Sequence, residues 1–243
     1  MDVSATSTVF NAPIPSKGHE MANDEIYQRI QVAIMERRLA PGTKLAEERL
    51  TEATGASRAK VRQVLSRLAH EKVVTLIPNR GAFIARPTTQ EARELFTTRR
   101  LIEPGMVDLL ARQVTPAQVR TLRRHVAQEQ EARNANDLRR IIRLSGEFHI
   151  HIADMVASSF LPRIMRELTA LTCLIITLYD KPNTPACPHH EHRDLVDMIE
   201  AHDSAGAKQC MLDHLLHIEH ALDLDSTEPA PPDFDAIFKH DEI

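Results

Sequence analysis

Apolar residues at Val61, Val64, Leu65 and Leu68 recur at the three-and-four spacing that gathers them on one face of a helix. Arg58 and Arg62, four apart, fall on the opposite face. Ser57 is suited to cap the start of this helix, and Gly55 supplies the backbone freedom of a short turn after an earlier helix. Beyond it, Val73 to Ile77 and Ala82 to Ala85 are short β-prone runs separated by Pro78-Asn79-Arg80-Gly81, which carries strong turn chemistry. The pattern predicts helix, tight turn, second helix and two-stranded wing. A helix that opens with arginines in such a frame is arranged to meet base edges and phosphates in a major groove, with Arg80 at the wing tip within reach of phosphate or the minor groove.

After Pro87 the pattern is helical almost throughout, with helices expected over 89–113, 116–133, 137–157, 161–180, 189–203 and 204–223. Thr88 or Thr89 caps the first, and Pro116 and Pro162 each sit just inside a start. Residues 180–188 hold three prolines and form the one long irregular piece. The expected fold is mainly α: an N-terminal winged helix-turn-helix with a small β-hairpin wing over 22–87, then an all-α antiparallel bundle of six or seven helices over 88–224. Residues 1–21 and 225–243 lack periodicity and read as a disordered tail and an acidic tail.

Composition sharpens this division. Residues 23–86 carry 12 Lys and Arg against 7 Asp and Glu, whereas residues 87–243 carry 17 against 25. A basic N-terminal module on an acidic body is expected if only the first part touches nucleic acid. With no tryptophan and 4% aromatics, the core must be aliphatic, which suits helical bundles. Cys173, Cys187 and Cys210 are widely spaced and odd in number, as expected of reduced thiols in a cytoplasmic protein. The most apolar helical segment, Leu168 to Tyr179, falls short of a membrane span, so no membrane role is expected.

Residues 26–86 resemble the winged helix of GntR-family transcription regulators through Ile26-Tyr27, Leu39-Ala-Pro-Gly-Thr-Lys-Leu45, Gly55-Ala-Ser-Arg58, Val61-Arg62 and Asn79-Arg-Gly-Ala-Phe-Ile84. The resemblance implies that Arg58 and Arg62 contact the operator and that Gly81 lets the wing tip approach DNA. Lys60 stands where the family often has a small residue or proline, and Gln63 where it has glutamate. Lys60 is expected to alter the preferred sequence. The DNA-contacting set is thus Arg58, Lys60, Arg62, Arg80 and Gly81.

Eleven of the 13 histidines follow residue 87, and helical phase separates them. His149 lies on the stripe Ile142, Ser145, His149, Ile152, Val156; His192 with Leu195, Val196 and Ile199; His214 with Met211, Leu215, Ile218 and Leu222. Arg99 lies inward with Leu95, Ile102 and Met106. A lone histidine on an apolar face is more often a hydrogen-bonded core residue than a ligand. Three on separate helices, with an arginine that keeps its charge, are costly to bury without a shared purpose. Two purposes suit the chemistry: a metal held by imidazoles, or an anionic small molecule that answers the guanidinium.

Residues 91–222 resemble the FCD effector domain of the FadR subgroup through Arg99-x3-Glu103-Pro104, Glu147-Phe-His149, Glu191-His192 and Met211-Leu-Asp-His-Leu215. The resemblance implies a metal at His149, His192 and His214, and a carboxylate effector beside it and Arg99. The family's aspartate ligand, four residues before the first histidine, is Ser145 here. Three imidazoles still suffice for Zn²⁺ or Ni²⁺, with water or effector completing the shell. His151, His189, His190, His217 and His220 are expected at the surface or behind the site.

The function expected is that of a homodimeric repressor of a metabolite uptake or catabolic operon. It binds a palindromic double-stranded operator and responds to a small anionic effector held by Arg99, Ser145, His149, His192 and His214. The alternatives are an activator of the same architecture, an architectural nucleoid protein, and a metal-dependent hydrolase fused to a DNA module. In the hydrolase, Glu147 and Asp194 lie close in sequence to two of the histidines, although the inward set offers no obvious carboxylate general base.

Overall fold

The computed structural model describes residues 20–181 and 190–225. Residues 1–19, 182–189 (with Cys187 and His189) and 226–243 lie outside the described residues, whereas Met21, expected in the tail, is buried in the winged-helix core. The winged helix comprises α1 (Asn23–Met35), β1 (Lys44–Leu45), α2 (Glu47–Thr54), α3 (Arg58–His70), β2 (Val74–Ile77) and β3 (Gly81–Ile84). The bundle comprises α4 (Thr89–Gln113), α5 (Pro116–Asn134), α6 (Leu138–Met155), α7 (Leu161–Tyr179), α8 (Glu191–Glu200) and α9 (Ser204–His220).

The turn before α3 is built as its residues dictate. Gly55 closes α2 in the left-handed region at φ +66°, and Ser57 caps α3 by accepting from the Lys60 amide at 3.4 Å. Val61, Val64, Leu65 and Leu68 are the buried face of α3. One element was not expected: Lys44–Leu45 adds a strand to β3, so the hairpin becomes a three-stranded antiparallel sheet of order β1-β3-β2. Two residues are too few to show alternation in a sequence. At the wing turn Asn79 (φ +60°) and Gly81 (φ +98°) both take positive φ. A Cβ on Gly81 would meet nothing closer than the Lys44 Cε at 3.8 Å, so backbone conformation rather than space demands the glycine.

Helix α1 ties the two halves together. Its Tyr27 hydroxyl donates to Glu71 at 2.7 Å and its ring centre lies 3.7 Å beneath the Arg67 guanidinium, locking α1 to the C-terminal end of α3. The core that unites Ile26, Ile30 and Ile34 with Val61 and Leu65 continues into Ile150 of α6 and Ala170, Cys173 and Leu174 of α7. Burial therefore runs across the boundary at Pro87 without interruption. In the bundle, α4 begins with a capping box between Thr88 and Glu91, and a second core joins Met106, Leu110, Phe148, Ile152, Leu195 and Met211. Helix α8 is shorter than its periodicity predicts, because His202 turns the chain at φ +56° and Asp203 caps α9.

Candidate functional site

On the winged helix, Arg58, Arg62 and Arg80 are exposed and Lys60 is half-buried. Arg62 pairs with Glu47 at 2.7 Å and Lys60 with Glu20 at 2.8 Å, so two of the candidate contacts rest on carboxylates that DNA phosphates would have to displace. At the wing, Arg80 and Lys44 both lie over the Phe83 ring, at 5.7 and 6.0 Å from its centre. Lys44 joins this basic edge only because β1 pairs with β3. Nothing in the sequence around it signalled that pairing.

Within the bundle, His149, His192 and His214 are brought together in full burial. The His214 Nε2 lies 3.2 Å from the His149 Nε2 and 3.3 Å from the His192 Nε2. Each Nδ1 faces a carboxylate: His149 that of Glu103 at 2.6 Å, His192 that of Glu129 at 2.9 Å, His214 that of Glu191 at 2.6 Å. With the Nδ1 protons directed to carboxylates, all three Nε2 atoms present lone pairs to one another. That arrangement is repulsive unless a cation sits among them. Burial adds to the case by holding the His149 imidazole down to about 4 and that of His214 to about 3, so both are neutral. Four-coordinate zinc with bonds of about 2.0–2.1 Å places neighbouring donor nitrogens roughly 3.3 Å apart. The donor set therefore fits such an ion, with carboxylates behind each imidazole as metal-bound histidines require.

Neither Glu147 nor Asp194 is among those carboxylates. Glu147 is buried but bonds Arg143 at 3.0 Å, and Asp194 lies at the surface near Arg193. Glu103 and Glu129 were legible by phase. Glu103 follows Arg99 by four residues, and Glu129 completes the stripe Val119, Leu122, His125, Glu129, Ala132. Although burial pushes Glu103 up, the Arg99 guanidinium and His149 hold it down at about 2. His125, which the sequence pattern did not single out, is buried with its Nε2 2.8 Å from the Leu144 carbonyl and 3.4 Å from Glu129. His217 stands behind the site on Glu191, while His190 is exposed and His220 lies on the outer end of α9. His151 is half-buried, and burial lowers it to about 4.

A cavity of about 390 Å³ opens beside this cluster. Its inner part is lined by Arg99, Ser145, His149 and Thr172, with Arg99 donating to the Thr172 hydroxyl at 3.2 Å. Ser145 lines it one turn before His149, as the stripe predicts. Arg37 and Arg133 also contribute to the lining. Arg37 comes from the winged helix and no sequence signal placed it there. A cleft of about 550 Å³ between the wing and α4 is lined by Lys72 and Arg86 against Glu91, Glu94 and Glu167, and no histidine lines it.

Residues 22–84 match the bacterial regulatory proteins of the gntR family, and residues 94–217 match the FCD domain. The chain belongs to the GntR family, with an FCD domain. This GntR regulator is 27% identical over 202 residues to an uncharacterized HTH-type transcriptional regulator in an unstable DNA locus of Streptomyces ambofaciens, covering 79% of this chain and 80% of that one. It is 22% identical over 201 residues to the HTH-type transcriptional repressor RspR of Escherichia coli, covering 82% and 88%. Among solved structures, E. coli McbR/YncC superposes with a TM-score of 0.71 at 19% identity, over 81% of this chain and 95% of that one. A putative GntR regulator from Rhodococcus sp. RHA1 superposes at 0.69 and 21% identity, over 82% and 95%. Both families and the named relatives are transcription regulators, not enzymes, and the hydrolase alternative falls with that. Among the described residues no helix is long and apolar enough to cross a membrane.

Proposed function

We propose that this GntR regulator is a cytoplasmic homodimeric repressor of an operon for uptake or breakdown of a small acid, releasing a palindromic operator when that acid binds in the α6–α7 cavity. Arg58, Lys60, Arg62 and Arg80 make the DNA contacts, with Gly81 shaping the wing turn. One recognition helix reads few base pairs, so two copies on a palindrome supply the specificity. Repression is favoured over activation by the similarity to a relative named a repressor. The ligand is a carboxylate because Arg99, 2% exposed, lines the cavity beside the neutral His149 imidazole and the Ser145 and Thr172 hydroxyls, and although Glu103 pairs with its Nε, Arg37 and Arg133 add two more guanidinium groups to the same lining.

The observation that carries this reading is the convergence of the His149, His192 and His214 Nε2 atoms directly behind the wall that His149 gives to a cavity also lined by a buried guanidinium. His149, His192 and His214 would hold a divalent ion, zinc or nickel, which when bound offers a Lewis-acidic position to a carboxylate oxygen. Arg99 orients the acid, and Glu103, Glu129 and Glu191 fix the ring planes. Occupancy alters the operator only through different affinities for the two states of the protein.

The test pairs elemental analysis with operator binding. Wild-type protein is expected to carry about one zinc or nickel per chain, and to lose operator affinity when a carboxylate panel includes the effector. His149→Ala with His192→Ala should abolish the metal and the response while DNA binding persists. A double variant that still responds overturns the sensing site.

A further inference from the structure

The cavity has guanidinium groups at both ends, and one of them, Arg37, is supplied by the winged-helix half of the molecule. Arg99 marks the inner end. The outer end contains Arg37, in the turn after α1, and Arg133, near the end of α5. Between them the walls are apolar, from Ile141, Ile142, Ile176 and Ile218. Thr172, which accepts from Arg99, and Asp180, which accepts from Arg37 at 3.2 Å, are eight residues apart along α7 and its C-cap. Helical rise puts them about 12 Å apart, and the long arginine side chains shorten the span a ligand must bridge.

Arg37 is held unusually for a surface arginine. It takes φ +53°, is tied to α1 by its amide bond to the Ile34 carbonyl at 2.9 Å, and has a buried Nε that meets no hydrogen-bond partner among the described residues. A buried donor left unpaired at a cavity wall is a place for an acceptor from a ligand. Its neighbours bind α1 to the bundle at the same level: Glu36 pairs with Arg143 at 3.1 Å, and Met35 packs close to Gly146, the residue after Ser145.

We propose that the effector carries two acid groups joined by a short apolar chain, and that Arg37, supplied by the winged helix, takes the outer group and so carries occupancy of the cavity to the DNA-binding module. This rests on reading the cavity as the effector site. The inner carboxylate lies with Arg99, the methylenes lie along the isoleucines, and the outer carboxylate competes with Asp180 for Arg37. Because α1 is fixed to α3 through Tyr27, Glu71 and Arg67, a change at Arg37 reaches the recognition helix by one rigid element. Differential capture in the two states is what coupling requires.

Calorimetric titration of metal-loaded full-length protein with adipate and with hexanoate, its one-acid counterpart, tests this, with succinate and suberate bracketing the length. Wild type should bind the best diacid about tenfold or more tighter than hexanoate, as expected for an added hydrogen-bonded charge pair. Arg37→Gln should erase that preference while keeping hexanoate affinity, and Arg37→Lys should restore part of it. On an operator duplex selected in vitro, the diacid should shift wild-type affinity and leave that of Arg37→Gln unmoved. Retention of the diacid preference by Arg37→Gln, or equal weakening of both acids, overturns the proposal while the carboxylate reading stands. Failure of every acid to bind wild type, or binding unaffected by Arg99→Gln, overturns the carboxylate reading itself.

Discussion

Glu103 is shared between Arg99 and His149: one carboxylate oxygen accepts from the Arg99 Nε, and the other lies 2.6 Å from the His149 Nδ1. All three side chains are buried, Glu103 completely. The glutamate thus neutralises the guanidinium and fixes the imidazole so that its Nε2 points at the other two histidines. Glu103→Gln keeps the shape and removes the charge. Metal affinity should fall roughly 10–100-fold, as when a carboxylate behind a metal-bound histidine is lost. The uncompensated buried arginine should cost about 3–5 kcal/mol. Chelator competition and thermal denaturation read the two effects, and a variant with wild-type zinc retention would refute the role given to Glu103.

Metal-free protein should be destabilised by acid in two stages. The His149 and His214 imidazoles, lowered from 6.5 to about 4 and about 3 by burial, are neutral in the fold. Their unfolded forms take up protons as pH falls through 6.5, so the unfolded state binds more protons and stability declines down to the folded values. Glu103, held at about 2 against 4.5, adds a second loss below 4.5 of the same sign. Melting temperature should be nearly flat above about pH 7 and fall steadily below it. A flat profile between about pH 7 and 4 would show that the imidazoles are not buried as neutral groups.

Most of the helical bundle was legible because its helices are long and amphipathic. The α4 span 89–113 follows from its cap and its stripe, and the inward phase of His149, His192 and His214 from each helix alone. What the sequence did not reveal depends on contacts between distant segments. Glu129 meets His192 across 63 residues, and β1 exists only as a partner of β3. Arg37 reaches the cavity because α1 docks on α6 and α7, a packing that no local pattern encodes.

Gly146 marks that docking. A Cβ there would stand 2.7 Å from the Thr169 Cγ2 and 3.1 Å from the Met35 Cε, wedging α6 away from both α7 and α1. Alanine normally gains up to about 1 kcal/mol over glycine in a helix. Overpacking of this kind typically costs about 1–3 kcal/mol, and the β-branched Thr169 has little freedom to move, so Gly146→Ala should be destabilising overall. Denaturant unfolding measures it; a stabilised variant would mean that α1 is free to shift. Because Met35 lies two residues before Arg37, the variant should also blunt the response of operator binding to effector.

The DNA face separates reading from anchoring. Arg58 opens α3 and is exposed, so Arg58→Ala should leave the fold unchanged while removing sequence-specific binding, at about 1–3 kcal/mol for each base the arginine reads. Lys44 stands on the wing sheet beside Phe83, where a cation meets phosphate rather than base edges. Lys44→Ala should weaken specific and random duplexes alike and reduce the salt slope of binding by about 1. Gel shifts of both variants across a salt series, on selected and scrambled duplexes, distinguish the two roles. If Lys44→Ala relaxed sequence preference, or Arg58→Ala only lowered the slope, their assignments would have to be exchanged.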